Sequence, residues 1–161
     1  MKRKSGWKWV AAAAVLSLVC MTGNAALAGI KNMAVVVSAG SKVADISLAE
    51  LVKLCKGTQK TWADGKNFTL VIKDPESPDL HVALQKLFGE SGLEAKAAIA
   101  KVNEARPVVK IVSSDEDLLR TVEATPGAVG ILDVYAINSA VKVLRVDGKL
   151  PFDAGYAFKG N

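Results

Sequence analysis

Two hydrophobic periods alternate along this chain, and that alternation restricts the fold more than any other feature. Met33–Val37 (MAVVV) is an unbroken apolar run, the pattern of a strand buried on both faces. After a turn-rich stretch, Ser47 and Glu50 have capping-box spacing, and Leu48, Leu51, Val52 and Cys55 then fall on one helical face that ends at Gly57. Trp62-Ala63-Asp64-Gly65 reads as a turn into a strand over Phe68–Ile72. Ser77-Pro78 opens a second helix, stopped by Gly89, and Ser91 with Glu94 forms a second capping box for an Ala-rich helix to about Glu104. Arg106-Pro107 breaks the chain before a strand over Val108–Val112. Ser114 and its three following acids start a helix that stops at Thr125-Pro126-Gly127. Ala128–Leu132 is a buried strand, Tyr135–Ser139 a helical turn and Val141–Val146 a further strand, before an Asp147-Gly148 turn and a closing tail. Strands alternating with helices predict one α/β domain whose mixed or mostly parallel sheet is flanked by helices.

The N-terminal segment lies outside this pattern. Lys2, Arg3, Lys4 and Lys8 precede an apolar run over Trp9–Met21, and Ala26-Leu27-Ala28 provides small residues where a signal peptidase cuts. A basic start, a short apolar stretch and an A-x-A end predict a secretory signal over 1–28 and a periplasmic or secreted domain over 29–161. The run is short for a membrane span of about 20 residues. Lipidation at Cys20 is a further reading, against which Val19 stands where a small residue is required. The full chain has a formal charge of +5, which invites a nucleic-acid partner. Removing the signal leaves 133 residues with 17 basic and all 16 acidic side chains, so that invitation lapses. Only Cys55 then remains, which excludes an internal disulfide in residues 29–161.

Three segments carry a family resemblance. VVVSAGSKVADISLAELVKLCKGTQKTWADG, TVEATPGAVGIL and VLRVDGKLPFDAGYAF occur in this order over about residues 33–157. Together they resemble the phosphate ABC transporter substrate-binding proteins, the phosphate receptors of the periplasmic-binding-protein fold. The resemblance implies a PBP-like α/β domain without catalysis, a small phosphate-like oxyanion as ligand and an ABC transporter or other envelope protein as partner. Complete receptors close two lobes on a ligand, whereas this length fits the compact single-lobe version.

In the receptors, phosphate is held by an Arg and, four residues on, a Ser-Gly-Thr at a helix start, where free N–H groups, hydroxyls and the helix dipole favour an anion. Laid over this sequence, the Arg position is Lys73, the Ser position Ser77, and the Gly and Thr positions Pro78 and Asp79. Lys73 supplies charge without the bidentate fork, and Ser77 keeps its hydroxyl. Pro78 removes an N–H and Asp79 adds a carboxylate beside Asp74 and Glu76. The competing reading of this loop is plain helix capping by Ser77. A calcium loop would need a ligand register and a turn Gly that this stretch lacks. Ser38 and Gly40, after the first strand, are the other candidate anion contacts, through backbone N–H groups.

The remaining chemistry-bearing residues read as structural. Cys55 lies on an apolar helix face, where a thiol is inert. His81, the one histidine, has no nucleophile or metal partner in sequence reach. Trp62, between Lys60 and Lys66, either covers the core edge or joins a binding surface. No catalytic constellation, metal set or cofactor motif is present in the sequence. Two functions stay open: a solute-binding domain that takes an oxyanion weakly, and a protein-interaction or scaffold module that keeps the fold without a ligand site.

Overall fold

The computed structural model describes residues 31–160, so the signal segment over 1–28 and Cys20 lie outside the described residues. Strands β1 (Met33–Ser38), β3 (Thr69–Ile72), β4 (Val109–Ile111), β5 (Ala128–Asp133) and β6 (Val141–Val143) form one sheet in the order β4-β3-β5-β1-β6. β3 pairs in parallel with both β4 and β5, while β1 runs antiparallel to β5 and β6. Four strands therefore share one direction and β1 opposes them, a mixed sheet. Helices α1 (Leu48–Cys55), α2 (His81–Phe88) and α3 (Gly92–Ala105) cover one face, and α4 (Asp115–Ala124) covers the other.

This layering explains the unbroken apolar runs. Val35, Val37, Leu70, Ile72, Val129 and Ile131 point toward α1–α3, and Ala34, Val36, Val71, Ala128 and Leu132 toward α4. Each alternate residue meets a helix, so neither face tolerates a polar side chain. Gly130 keeps α4 close: a Cβ there would stand 2.6 Å from Leu118 Cδ2 and 3.0 Å from Val122 Cγ2.

Capping follows the sequence at two of four helix starts. Ser47 Oγ accepts from the Glu50 N–H at 3.2 Å and Ser114 Oγ from the Asp117 N–H at 3.1 Å. Ser91 precedes α3 without a side-chain cap, and Ser77 makes none either. A 3₁₀ turn over Pro78–Leu80 comes first, stitched by the Leu80 N–H donating to the Ser77 carbonyl, and α2 begins only at His81. The expected capping role of Ser77 is thus taken by its backbone.

Two other expectations need correction. The strand expected over Val141–Val146 is two strands, because the chain changes partner at Leu144. The Leu144 N–H still donates to Val35, but Arg145 N–H donates to Ala44. Arg145–Val146 becomes β7, paired in parallel with a short β2 (Asp45–Ile46) inside the stretch read as turns. The helical turn expected over Tyr135–Ser139 lies at Val134–Ala136, where Asp133 Oδ1 accepts from the Tyr135 N–H. The closing tail belongs to the core: Tyr156 and Phe158 are buried edge to face, and the Met33 N–H donates to the Phe158 carbonyl.

Candidate functional site

The parallel strands bring Lys73 and Ser77 to the C-terminal end of the sheet, since both follow β3. In open α/β sheets this end is where ligands settle. Here its cations are already engaged. Lys73 Nζ sits 2.8 Å from Asp115 Oδ1, at the first residue of α4, though at an angle that makes the contact an ion pair rather than a directed hydrogen bond. Lys31 Nζ lies 3.1 Å from Asp79 and 3.6 Å from Asp133, and the hydrogen bond it donates to Asp79, together with that carboxylate's charge, raises the Lys31 pKa. Lys96 reaches across from α3 to Glu76 at 2.9 Å. The loop's own geometry also differs from an anion cradle. Asp74 Oδ1 accepts from the Glu76 N–H and the Asp74 carbonyl from the Ser77 N–H, so two of its donors are spent inside the loop. An incoming anion would have to displace carboxylates from Lys73 and Lys31.

Ser38 and Gly40 stand at the opposite end. β1 runs against β3, and Val37 pairs with Val129, which in turn pairs with Leu70 near the start of β3. Thr69 and Lys73 are four residues apart along the strand, roughly 13 Å at strand spacing. The four candidate anion contacts therefore fall into two groups with the sheet between them. Ser38 and Gly40 line a cavity of about 300 Å³ with Trp62, Lys66, Glu123 and Gly127. Its lysine is paired with Asp64 at 3.1 Å, and the N–H and ammonium of Lys66 lower the Asp64 pKa. With Glu123 also on the wall, this cavity does not favour an anion.

Trp62 serves the fold, although it also borders that cavity. Its indole N–H donates to the Gly127 carbonyl at 2.9 Å, and its ring packs on Phe68 with centroids 5.7 Å apart. The Thr-Pro-Gly turn and the Trp-x-Asp-Gly turn are thus a single structural lock. Cys55 is fully buried, and burial alone pushes its thiol well above the ordinary range. His81 is exposed in the first turn of α2. Asp115, Asp133 and Lys31, which decide the electrostatics of the β3 loop, carry no local sequence signal because they come from three distant segments.

No helix among the described residues is long and apolar enough to cross a membrane. No protein-family model matches the chain. Over 79 residues, 49% of this chain, it is 30% identical to the phosphate-binding protein PstS 2 of two Streptococcus agalactiae strains, covering 26% of that protein. Among solved structures, PstS from Borrelia burgdorferi aligns with 81% of this chain at TM-score 0.60 and 20% identity, covering 55% of its own length. An ABC-type phosphate transport receptor from Vibrio cholerae aligns with 75% at TM-score 0.58 and 17% identity, covering 48%. A putative phosphate ABC transporter substrate-binding protein from Clostridium perfringens, with bound phosphate, aligns with 73% at TM-score 0.56 and 16% identity, covering 46%. The chain therefore spans about a quarter of the curated relatives it matches and about half of these solved receptors. Its fold is a single α/β lobe, similar to that of the phosphate ABC transporter substrate-binding proteins over part of their length.

Proposed function

We propose that the protein is an exported receptor-lobe module that keeps the phosphate-receptor fold and works through contact with another envelope protein, not by capturing free phosphate in the β3 loop. One observation carries this reading: Lys31 and Lys73, at the C-terminal end of the sheet, are held by carboxylates. Pro78 further removes a backbone donor from the position where a receptor presents one. Next to this end, Tyr135 and Phe152 stand exposed with ring centroids 6.4 Å apart. An acidic rim with exposed aromatic rings suits a basic, apolar-edged protein surface better than a phosphate ion. The similarity to proteins named as phosphate-binding favours a second reading, weak oxyanion binding by Lys73 and Ser77. Amide NMR shifts of the non-proline residues of 73–80 during a phosphate titration separate the two. The module reading expects these amides to stay unmoved at millimolar phosphate. Saturable shifts that Lys73→Ala removes would overturn it in favour of the loop site.

A further inference from the structure

A second, larger cavity has the chemistry that the β3 loop lacks. It measures about 430 Å³ and is lined by Lys56, Gly57, Lys60, Lys101, Val102, Ala105, Arg106 and Val108. Four of these side chains are cationic and none is acidic. Among the described residues none of the four forms an ion pair, and none of their side chains donates a hydrogen bond. Arg106 Nη2 is moreover buried without a hydrogen-bond partner. A buried guanidinium N–H left unpaired is costly, and a turn of the Arg106 side chain toward an anion in the cavity would relieve that cost.

The walls are held by contacts that do not use these charges. Asn103 Oδ1 accepts from the Val108 and Val109 N–H groups, and its amide donates to the Val109 carbonyl, tying the end of α3 to the start of β4. Gly57, at φ +73°, has Val102 and Val108 as its nearest neighbours. Helix C-termini alone could attract lysines, but α1 has already satisfied its last carbonyls. Val52, Lys53 and Leu54 accept from Lys56, Gln59 and Gly57 N–H groups, and Thr58 Oγ1 donates to Lys53 as well. The C-terminal ends of α1 and α3 contribute about half a negative charge each against the four lining cations. A net excess of about three positive charges remains.

We propose that this cavity is a binding site for a small multivalent oxyanion of the diphosphate or phosphate-ester class. A single phosphate would leave roughly half of that excess uncompensated, whereas a diphosphate, at about three negative charges, matches it. The cavity opens at the N-terminal end of the parallel strands, away from Lys73, and it is independent of the proposed role of the β3 loop.

Isothermal titration of the full chain with inorganic pyrophosphate, inorganic phosphate and sulfate tests the site. Pyrophosphate should bind at least about tenfold more tightly than either monomeric ion, and 0.5 M NaCl should weaken it by about tenfold. Arg106→Gln should weaken pyrophosphate by about tenfold. Lys60→Gln, at an exposed position, should weaken it severalfold without any question of folding. Lys73→Ala should leave it unchanged. Absence of pyrophosphate binding at 5 mM overturns the proposal, as does binding that Lys73→Ala abolishes and the two cavity variants spare. Sedimentation with vesicles of anionic phospholipid separates a lipid surface from a free oxyanion. Vesicle binding lost in Arg106→Gln, without pyrophosphate binding, would also overturn it.

Discussion

Gly127 is the position where one added methyl group should be most disruptive, and a matched control can isolate the reason. Its φ is +83°, and a Cβ built there collides with the Asn67 carbonyl, with Lys66 Cβ 3.3 Å away. Gly65 has φ +82° and nothing within 4 Å of its virtual Cβ. Alanine at Gly65 therefore meets only the left-handed backbone cost, about 1–2 kcal/mol. Alanine at Gly127 meets the same cost and must also push the Asn67 carbonyl away. That carbonyl is fixed by the Thr61–Asn67 bridge and by the Phe68 N–H donating to Lys60, so the two segments must part. Parting them strains two bonds to the Gly127 carbonyl, from Trp62 Nε1 at 2.9 Å and from the Thr69 N–H at 3.4 Å. At about 1 kcal/mol per bond, Gly127→Ala should cost about 2 kcal/mol more than Gly65→Ala. For a domain with a total stability of about 5–15 kcal/mol, the difference is easily read from urea midpoints by circular dichroism at equal m-value. A difference below about 0.5 kcal/mol would refute the locking role given to this turn.

Two further outcomes concern buried groups outside any site. The Tyr156 hydroxyl has no partner in hydrogen-bonding geometry, and burial pushes its pKa up to about 12, with the Val35 backbone only partly opposing. The folded state thus keeps a proton that the unfolded chain releases near pH 10, so stability should fall as pH rises from about 10 to 12. Tyr156→Phe should remove that slope and cost less than about 0.5 kcal/mol at neutral pH; a loss of 2 kcal/mol or more would reveal a bond to the hydroxyl. Cys55 should be inert to a thiol reagent in a Cys20→Ser background until denaturant unfolds the domain. Labelling faster than global unfolding would show that α1 opens locally.

Much of the architecture was legible because it rests on local pattern. The valine run of β1, the Ser47 and Ser114 caps and the glycines after α1 and α2 are each set by near neighbours in sequence. The Leu144 partner switch was not, because it depends on the Ala44 carbonyl one hundred residues earlier. The site readings failed to converge for the same reason. Lys73 looks available until Asp115 arrives from another strand connection, and Ser38 and Ser77 both follow strands but strands of opposite direction. Lys56 and Lys60 formed no basic run in sequence, and only the packing of α3 beside Gly57 brings Lys101 and Arg106 to them. A near-neutral count for residues 29–161 therefore concealed a local grouping, with four cations, unpaired among the described residues, around one cavity and carboxylate-paired lysines around the β3 loop.

The place of β1 inside the sheet, between β5 and β6, also governs when the domain can assemble. It is the earliest strand among the described residues, yet its partners are β5 and β6, with Val37 opposite Val129 and Ser38 opposite Val141. A chain emerging N-terminus first cannot close its sheet until most of its length is available. Until then five consecutive side chains that end fully or nearly fully buried have no native cover. Such non-local closure slows folding. For the export proposed above such a delay is useful, since early folding would block transit through a membrane channel, and Met33–Val37 is the segment left uncovered while the chain waits.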